Sequence, residues 1–317
     1  MTRFNLLSIF FYFSLAFIAC KKEPQIISPV EKLASNINEP LRKVVFINKV
    51  GYVIGGNTTA TILVSTDNGN TWQTKIFPEV GSGLLAIAHK YDDLGIYAIG
   101  SNGKMVYTAD NAQSWHFMNT SISRTIEDMA FFEPKSCIFI GSSGQGGFRN
   151  YINDESGNEY VQQNLDYTLH DIEMLNNKTG FVCGNGRIEK TDDGAVSWQA
   201  LNISNDDFRA MHIKTINEIW LCGYKGGIYY TSDGGQTWQT QRGKESNQLH
   251  LTDIFFMNDH DGWAIGEGGA ILYTKNGGSD WYQYEKITTE NLLSITEAPD
   301  ANLIVCGENG GVYRIKS

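Results

Sequence analysis

The chain has little of what marks the common classes of enzyme and metalloprotein. Its 317 residues include five cysteines and six histidines, and no HExxH, CxxC or nucleophile-elbow pattern contains any of them. His89, His116, His170, His212, His250 and His260 are scattered singly. The glycine-rich GSSGQGG at 141–147 lacks the Gly-Lys-Ser/Thr ending and the following helix that a phosphate cradle needs. Positive charge is also short, with 25 Lys+Arg against 35 Asp+Glu and a formal net charge of −10. That balance disfavours generic nucleic-acid binding. The apolar stretch within residues 1–20 is short and is followed at once by Lys21 and Lys22, which suits a signal peptide better than a spanning helix.

What the chain does have is one short pattern, repeated. Five copies end in tryptophan: STDNGNTW at 65–72, TADNAQSW at 108–115, TDDGAVSW at 191–198, TSDGGQTW at 231–238 and TKNGGSDW at 274–281. The tryptophan intervals are 43, 83, 40 and 43 residues, so the long one spans two periods. A degenerate sixth copy, NDESGNEY at 153–160, fills the gap, with Glu155 for Asp and Tyr160 for Trp. The residue types are those of a tight hairpin turn. Asp67, Asp110, Asp193, Asp233 and Asn276 are placed to accept from nearby amides, glycine takes positive φ, and the hydroxyl braces the entry strand. Trp72, Trp115, Trp198, Trp238 and Trp281 are expected to open the next strand and bury a ring at the hairpin base. One turn needs all of these residues, and five or six copies of a catalytic or calcium site on one chain are implausible. The boxes read as structural.

Upstream of the boxes, apolar runs end in isoleucine or cysteine and then glycine: YVIG at 52–55, YAIG at 97–100, IFIG at 138–141, FVCG at 181–184, WLCG at 220–223, WAIG at 263–266 and IVCG at 304–307. A further run precedes each. Asp128, Asp171, Ala210, Asp253 and Ser294 each lie twelve residues before the apolar residue that precedes the glycine. The unit is therefore four short strands in about forty residues, repeated seven times, which predicts an all-β, seven-bladed β-propeller with four-stranded blades. A linear solenoid is disfavoured, since a helical or single-strand repeat would not use four strands in that length. The last unit stops after three strands, so ring closure needs a fourth from elsewhere, and residues 25–33 are the natural donor. The chain then divides into a signal peptide at 1–19, a lipidated Cys20 with tether and ring-closing strand at 20–40, and the propeller at 41–317.

Cys20 follows Ala19 at the end of the apolar stretch, which resembles the lipobox of bacterial lipoproteins. It implies cleavage before Cys20, lipidation there, and an envelope location, with Lys21 favouring the outer membrane. Removing residues 1–19 takes away Arg3 and leaves 24 basic against 35 acidic residues, a net charge of −11. Cys183, Cys222 and Cys306 occupy the slot that Ile54, Ile99, Ile140 and Ile265 fill in other repeats, so they read as core residues. Equivalent slots on neighbouring blades should lie beyond disulfide reach. With Cys137 elsewhere in its strand, no disulfide, metal or cofactor is expected.

DGWAIGEGGAILYTKNGGSDW at 261–281 and NEIWLCGYKGGIYYTSDGGQTW at 217–238 resemble the repeat of the photosystem II stability/assembly factor family. The resemblance covers nearly the whole mature chain and implies a seven-bladed propeller that binds another protein during assembly of a membrane complex. The rival reading is a glycoside hydrolase or glycan-binding lectin, because Asp-box propellers include sialidases. A sialidase-like site would need three converging arginines, a tyrosine nucleophile with a glutamate beside it and an acid/base aspartate. Arg42, Arg124, Arg149, Arg187, Arg209, Arg242 and Arg314 are present, but none lies in that family's Arg-Ile-Pro context.

Chain direction places the boxes on one face of the disc, together with the loops between first and second strands. The loops between second and third strands (B–C) and those between blades (D–A) lie on the other face. That face is the expected binding surface, with Arg149, Arg187, Tyr224, Lys225, Arg242, Glu267 and Glu308 as candidate contacts, joined by Gln145, Asn185 and Lys244. The sequence reading is a non-catalytic, monomeric envelope lipoprotein. Its propeller engages a protein partner, with a glycan as the other candidate ligand, and it meets the membrane only through its N-terminal lipid.

Overall fold

A computed structural model describes residues 30–90, 95–100, 103–120, 125–133, 136–142, 147–152, 159–203, 206–245 and 248–316. It begins with β1 (Val30–Lys32). The first sheet is β2 (Leu41–Ile47), β3 (Val50–Gly55), β4 (Ala60–Ser65) and β5 (Gln73–Phe77); the second is β6 (Leu84–His89), β7 (Ile96–Gly100), β8 (Lys104–Thr108) and β9 (His116–Asn119). The third is β10 (Thr125–Glu133), β11 (Ser136–Ser142), β12 (Gly147–Ile152) and β13 (Glu159–Asn164); the fourth is β14 (Leu169–Met174), β15 (Gly180–Gly184), β16 (Arg187–Thr191) and β17 (Gln199–Ala200). The fifth is β18 (Phe208–Ile213), β19 (Ile219–Gly223), β20 (Ile228–Thr231) and β21 (Gln239–Arg242); the sixth is β22 (Leu251–Phe256), β23 (Gly262–Gly266), β24 (Ile271–Thr274) and β25 (Tyr282–Gln283). These six sheets each use four consecutive antiparallel strands. The remaining sheet is composite: β26 (Leu292–Glu297), β27 (Leu303–Gly307) and β28 (Val312–Ile315) take β1 as their fourth strand, with Val30 opposite Ile315 and Lys32 opposite Tyr313.

The first strand of each sheet packs against the first strand of the next, and β26 packs against β2, so the sheets close into a ring around an axis. Closure by the N-terminal strand agrees with the expectation from the truncated last repeat. Residues 25–29, Cys20 and residues 153–158 of the degenerate box lie outside the described residues.

Burial follows position in the blade. Every residue of β3, β15, β19, β23 and β27 is buried, because each blade is covered on both faces by its neighbours and no alternation is left to see. The outer strands β5 and β9 are largely exposed. Apolar clusters straddle neighbouring sheets: Tyr52, Ile54 and Ile62 of the first pack with Leu84, Ile96 and Val106 of the second. Leu41, Val53 and Leu63 of the first pack with Ile304, Cys306 and Val312 of the last, so the seam is sealed by the same apolar burial as the other joints. Each such aliphatic side chain contributes roughly 1.5–3 kcal/mol when fully buried. Cys137, Cys183, Cys222 and Cys306 are buried and free, and burial pushes their thiols up.

Candidate functional site

The box hydroxyls and acids satisfy one another. Ser65 Oγ donates to Asp67 Oδ1 at 2.8 Å and accepts from the Gly69 amide at 2.8 Å, while Asp67 accepts from the Thr71 amide and hydroxyl. The same set recurs at Thr108 with Asp110, Thr191 with Asp193, and Thr231 with Asp233. Asn276 accepts from the Asp280 amide in the fifth complete box and donates to its carboxylate. Hydrogen bonds from Ser114 and Thr237 pull the Asp110 and Asp233 carboxyls down to about 2. Each tryptophan stands one residue before its outer strand rather than opening it, and is half-buried. The ring reaches back to the preceding blade, as Trp115 does to Tyr52 and Phe77. The boxes are turns that also lock blade to blade.

Chemistry collects instead at the axis. Every first strand carries a bulge at the same register: at Arg42, Leu85, Glu127, His170, Arg209, Thr252 and Leu293. A bulge re-aims a side chain out of the sheet, and all seven of these residues line one cup of about 400 Å³ at the axis. Arg42 Nη2 donates to Asn57 Oδ1 at 2.8 Å. Burial lowers the Arg42 guanidinium below its ordinary value, against the pull of Glu127 and Glu308. His170 Nε2 stands 3.3 Å from Asp207 Oδ1, and Arg209 pairs with the other oxygen of Asp207 at 2.6 Å. Burial raises the Asp207 carboxyl, but His170 and Arg209 outweigh it and leave it below the usual range.

The floor of the cup holds the residues that follow the bulges. The innermost edge of each blade presents backbone amides with no strand beside them, and these need acceptors. Side chains of the preceding blade supply them: Asp128 accepts from the Ile172 amide, Asp171 from Met211, Asp253 from Ile295 and Ser294 from Val44. Lys43 Nζ sits among them, 3.0 Å from Asp128 Oδ2 and 3.9 Å from Asp171 Oδ1. Burial opposes charge on Lys43, but Asp128, Asp171 and Asp253 outweigh it and hold the ammonium above its ordinary value. Burial pushes the Asp171 and Asp253 carboxyls up, against Lys43. Sequence reasoning missed this cup. Its signal was the recurrence of aspartate twelve residues before the strand-end apolar residue, a place where no turn calls for one.

None of the described sequence-predicted contacts lines the cup itself. Tyr224, 36% exposed, and Lys225 form a turn at Tyr224–Gly226, where Tyr224 packs edge-on against His250 at 4.6 Å and Lys225 covers its ring. Arg242 Nη1 donates to the Gly226 carbonyl at 2.6 Å. Glu267 opens the turn Glu267–Gly269, with its amide bonded to the His250 carbonyl. Glu308 accepts from Asn291. Arg187 is not free, since its guanidinium stacks 4.4 Å from the Tyr167 ring and pairs with the buried Glu189 at 3.3 Å. Asn185 bridges to Asp207, and Lys244 reaches Asp206 at 3.5 Å. Arg149 belongs to β12, its backbone opposite Ile140; its side chain and Gln145 lie outside the described residues. The described arginines do not assemble a sialidase-like trio. Arg42 and Arg209 share the cup, whereas Arg314 is buried against Asp300 and the Asn68 carbonyl.

Comparison with known proteins is consistent with this architecture. The model of the family "Photosynthesis system II assembly factor YCF48" matches residues 152–239 and 206–275. The photosystem II assembly lipoprotein Ycf48 of Trichormus variabilis is 22% identical over 202 residues, covering 63% of this chain and 48% of that protein. Its counterpart in Thermosynechococcus vestitus is 23% identical over 174 residues, covering 55% and 39%. The chain thus matches about half the length of these curated relatives, or less. The solved YCF48 of Cyanidioschyzon merolae superposes with a TM-score of 0.73 at 15% identity, over 90% of this chain and 98% of that one. A structure of YCF48 bound to D1 peptide gives 0.71 at 17%, over 93% and 98%. The chain is a β-propeller like those of the photosystem II assembly factors.

Proposed function

We propose that the propeller is a non-catalytic platform that holds a protein partner on the face carrying the B–C turns and the axial cup, in the assembly or stabilisation of an envelope complex. The observation that carries this reading is the contrast between the two faces. On the box face the polar groups close upon one another turn by turn. The other face gathers seven re-aimed side chains, with Nε of Arg42 buried and without a hydrogen-bond acceptor. A desolvated donor at a concave mouth favours a ligand that brings an acceptor. A similar propeller has been solved with a peptide bound, and its relatives are named lipoproteins, in keeping with a lipid anchor at Cys20 and a place in the envelope, at the outer membrane by the identity of Lys21.

The test is crosslinking and pull-down from membranes, comparing the native chain with Tyr224→Ala/Lys225→Ala. These are better probes than Arg187, whose removal would leave the buried Glu189 without its cation. The expected result is a discrete partner whose recovery falls in the double variant at unchanged thermal stability. Equal recovery would overturn the face assignment, and sugar release from a glycan panel would overturn the non-catalytic reading.

A further inference from the structure

A second concavity on this face lies between the fifth and sixth sheets. It is a groove of about 260 Å³ whose lining includes Arg242, Gln248, Leu249, Leu251, Leu272 and Lys286. Leu251 and Leu272 are buried in its floor, while Leu249 is 47% exposed at its rim, an uncommon position for so large an apolar side chain in this molecule. Arg242 is anchored by the Gly226 carbonyl. Burial lowers its pKa, with Glu245 opposing, but no carboxylate forms an ion pair with it or with Lys286 among the described residues. In an acidic chain, two cations that lack an ion-pair partner and face the same apolar cleft constitute a charge mismatch that a ligand can relieve. Gln248 Oε1 is buried in the same wall without a donor.

From these features we infer that the groove binds a peptide segment in which a carboxylate side chain neighbours a large apolar one. The carboxylate answers Arg242 and Lys286. The apolar side chain covers Leu249 and the floor. A backbone N–H answers Gln248 Oε1, a donor that a lipid phosphate by itself does not offer. The inference rests on the protein-binding reading and narrows it to a chemistry.

The probe is a fluorescein-labelled, N-acetylated and C-amidated pentapeptide carrying one glutamate beside one phenylalanine, titrated against the purified full chain by fluorescence anisotropy. Saturable binding is expected, weakened about tenfold when the peptide's glutamate is replaced by glutamine, and to a similar degree by Lys286→Gln. Lys286 is exposed and its substitution leaves the core untouched; Arg242→Gln, which also frees the Gly226 carbonyl, is paired with a thermal melt. Equal affinity for the two peptides, equal affinity of wild type and Lys286→Gln, or no saturable binding overturns the inference. Phosphatidylglycerol vesicles form the second arm: vesicle binding that falls in Lys286→Gln while peptide binding does not would assign the groove to lipid. If membranes yield a partner equally with wild type and Lys286→Gln, and the peptide does not bind, the groove is refuted and the platform stands. If the peptide binds as expected but no partner is recovered, the platform reading fails instead.

Discussion

Lys43 of the first sheet and Asp128 of the third form a salt bridge of 3.0 Å that passes over the whole second blade. It can do so because the residue at the equivalent place in the second blade is Ala86, which leaves the space open. The carboxylates gathered here also accept the amides of neighbouring first strands, so this one lysine balances charges that the ring's inner hydrogen bonds require.

Lys43→Met should therefore cost more than a surface charge. It leaves Asp128, only 4% exposed at its side chain, without its cation; Lys43 itself is 31% exposed, so the cost falls toward the lower end of the roughly 3–5 kcal/mol for breaking a buried pair. Urea unfolding should show a large fall in midpoint, partly rescued by Lys43→Met/Asp128→Asn. An unfolding free energy within ~0.5 kcal/mol of wild type would refute this role.

Glu173 lies one rung further along the axis, and its carboxyl is pushed up to about 7 by burial, against its bond from the Ile213 amide and the attraction of Lys43, with Asp128 and Asp253 adding to the rise. A carboxyl raised in the folded state binds protons that the unfolded chain has already lost. Stability is then fullest below the ordinary value of 4.5 and declines as pH rises through about 7. Glu173→Gln should accordingly raise the melting temperature relative to wild type at pH 8 and make little difference near pH 4.5. An equal shift at both values would contradict the assignment.

The boxes should respond differently. Asp233 is held down to about 2 by Thr237 and Thr231, so its contribution is present above the ordinary carboxylate range and is lost as pH falls toward 2. Asp233→Asn keeps an acceptor for the Thr237 amide, as Asn276 does for Asp280, and should be tolerated better than Asp233→Ala, which should lower the melting temperature. Neither should change partner recovery, and a loss of recovery without a loss of stability would move the binding surface to the box face.

Ring closure depends on a short segment. β1 contributes three residues, but Leu33 is buried behind it, and Ser35 Oγ donates to the Gly310 carbonyl at 2.6 Å. Gly310 has φ +70°, and a Cβ there would meet the Ile37 carbonyl at 1.7 Å. Deleting residues 21–38 should expose the edge of β28, lower the melting temperature and produce self-association visible by light scattering. Gly310→Ala should weaken the same clasp. A deleted chain that stays monomeric with an unchanged melt would show that β1 is dispensable.

Much of the architecture was legible in the chain because each blade solves the same local problem with the same residues. Turn chemistry at Asp67 or Asp233, the strand-end glycines and the missing fourth strand of the last repeat are all short-range facts. The cup was not legible in the same way. Arg42, Glu127, His170 and Arg209 stand in runs that read as ordinary strand starts, and what aims them inward is a bulge whose register appears only when two strands are paired. Arg187 shows the converse limit: its position at a turn made it a candidate contact, and only the fold reveals that Tyr167 and Glu189 already engage it.

The sequence by itself determined the repeat, the four-strand unit, the structural role of the boxes and the origin of the closing strand, because these follow from local conformational preference and from counting. Only the tertiary structure decided which side chains meet. Lys43 and Asp128 are 85 residues apart in the chain, and the groove of Arg242 and Lys286 exists only where two blades stand side by side. Contacts across a closed ring depend on the angle and spacing of whole sheets, which apolar packing between blades sets and no single repeat encodes.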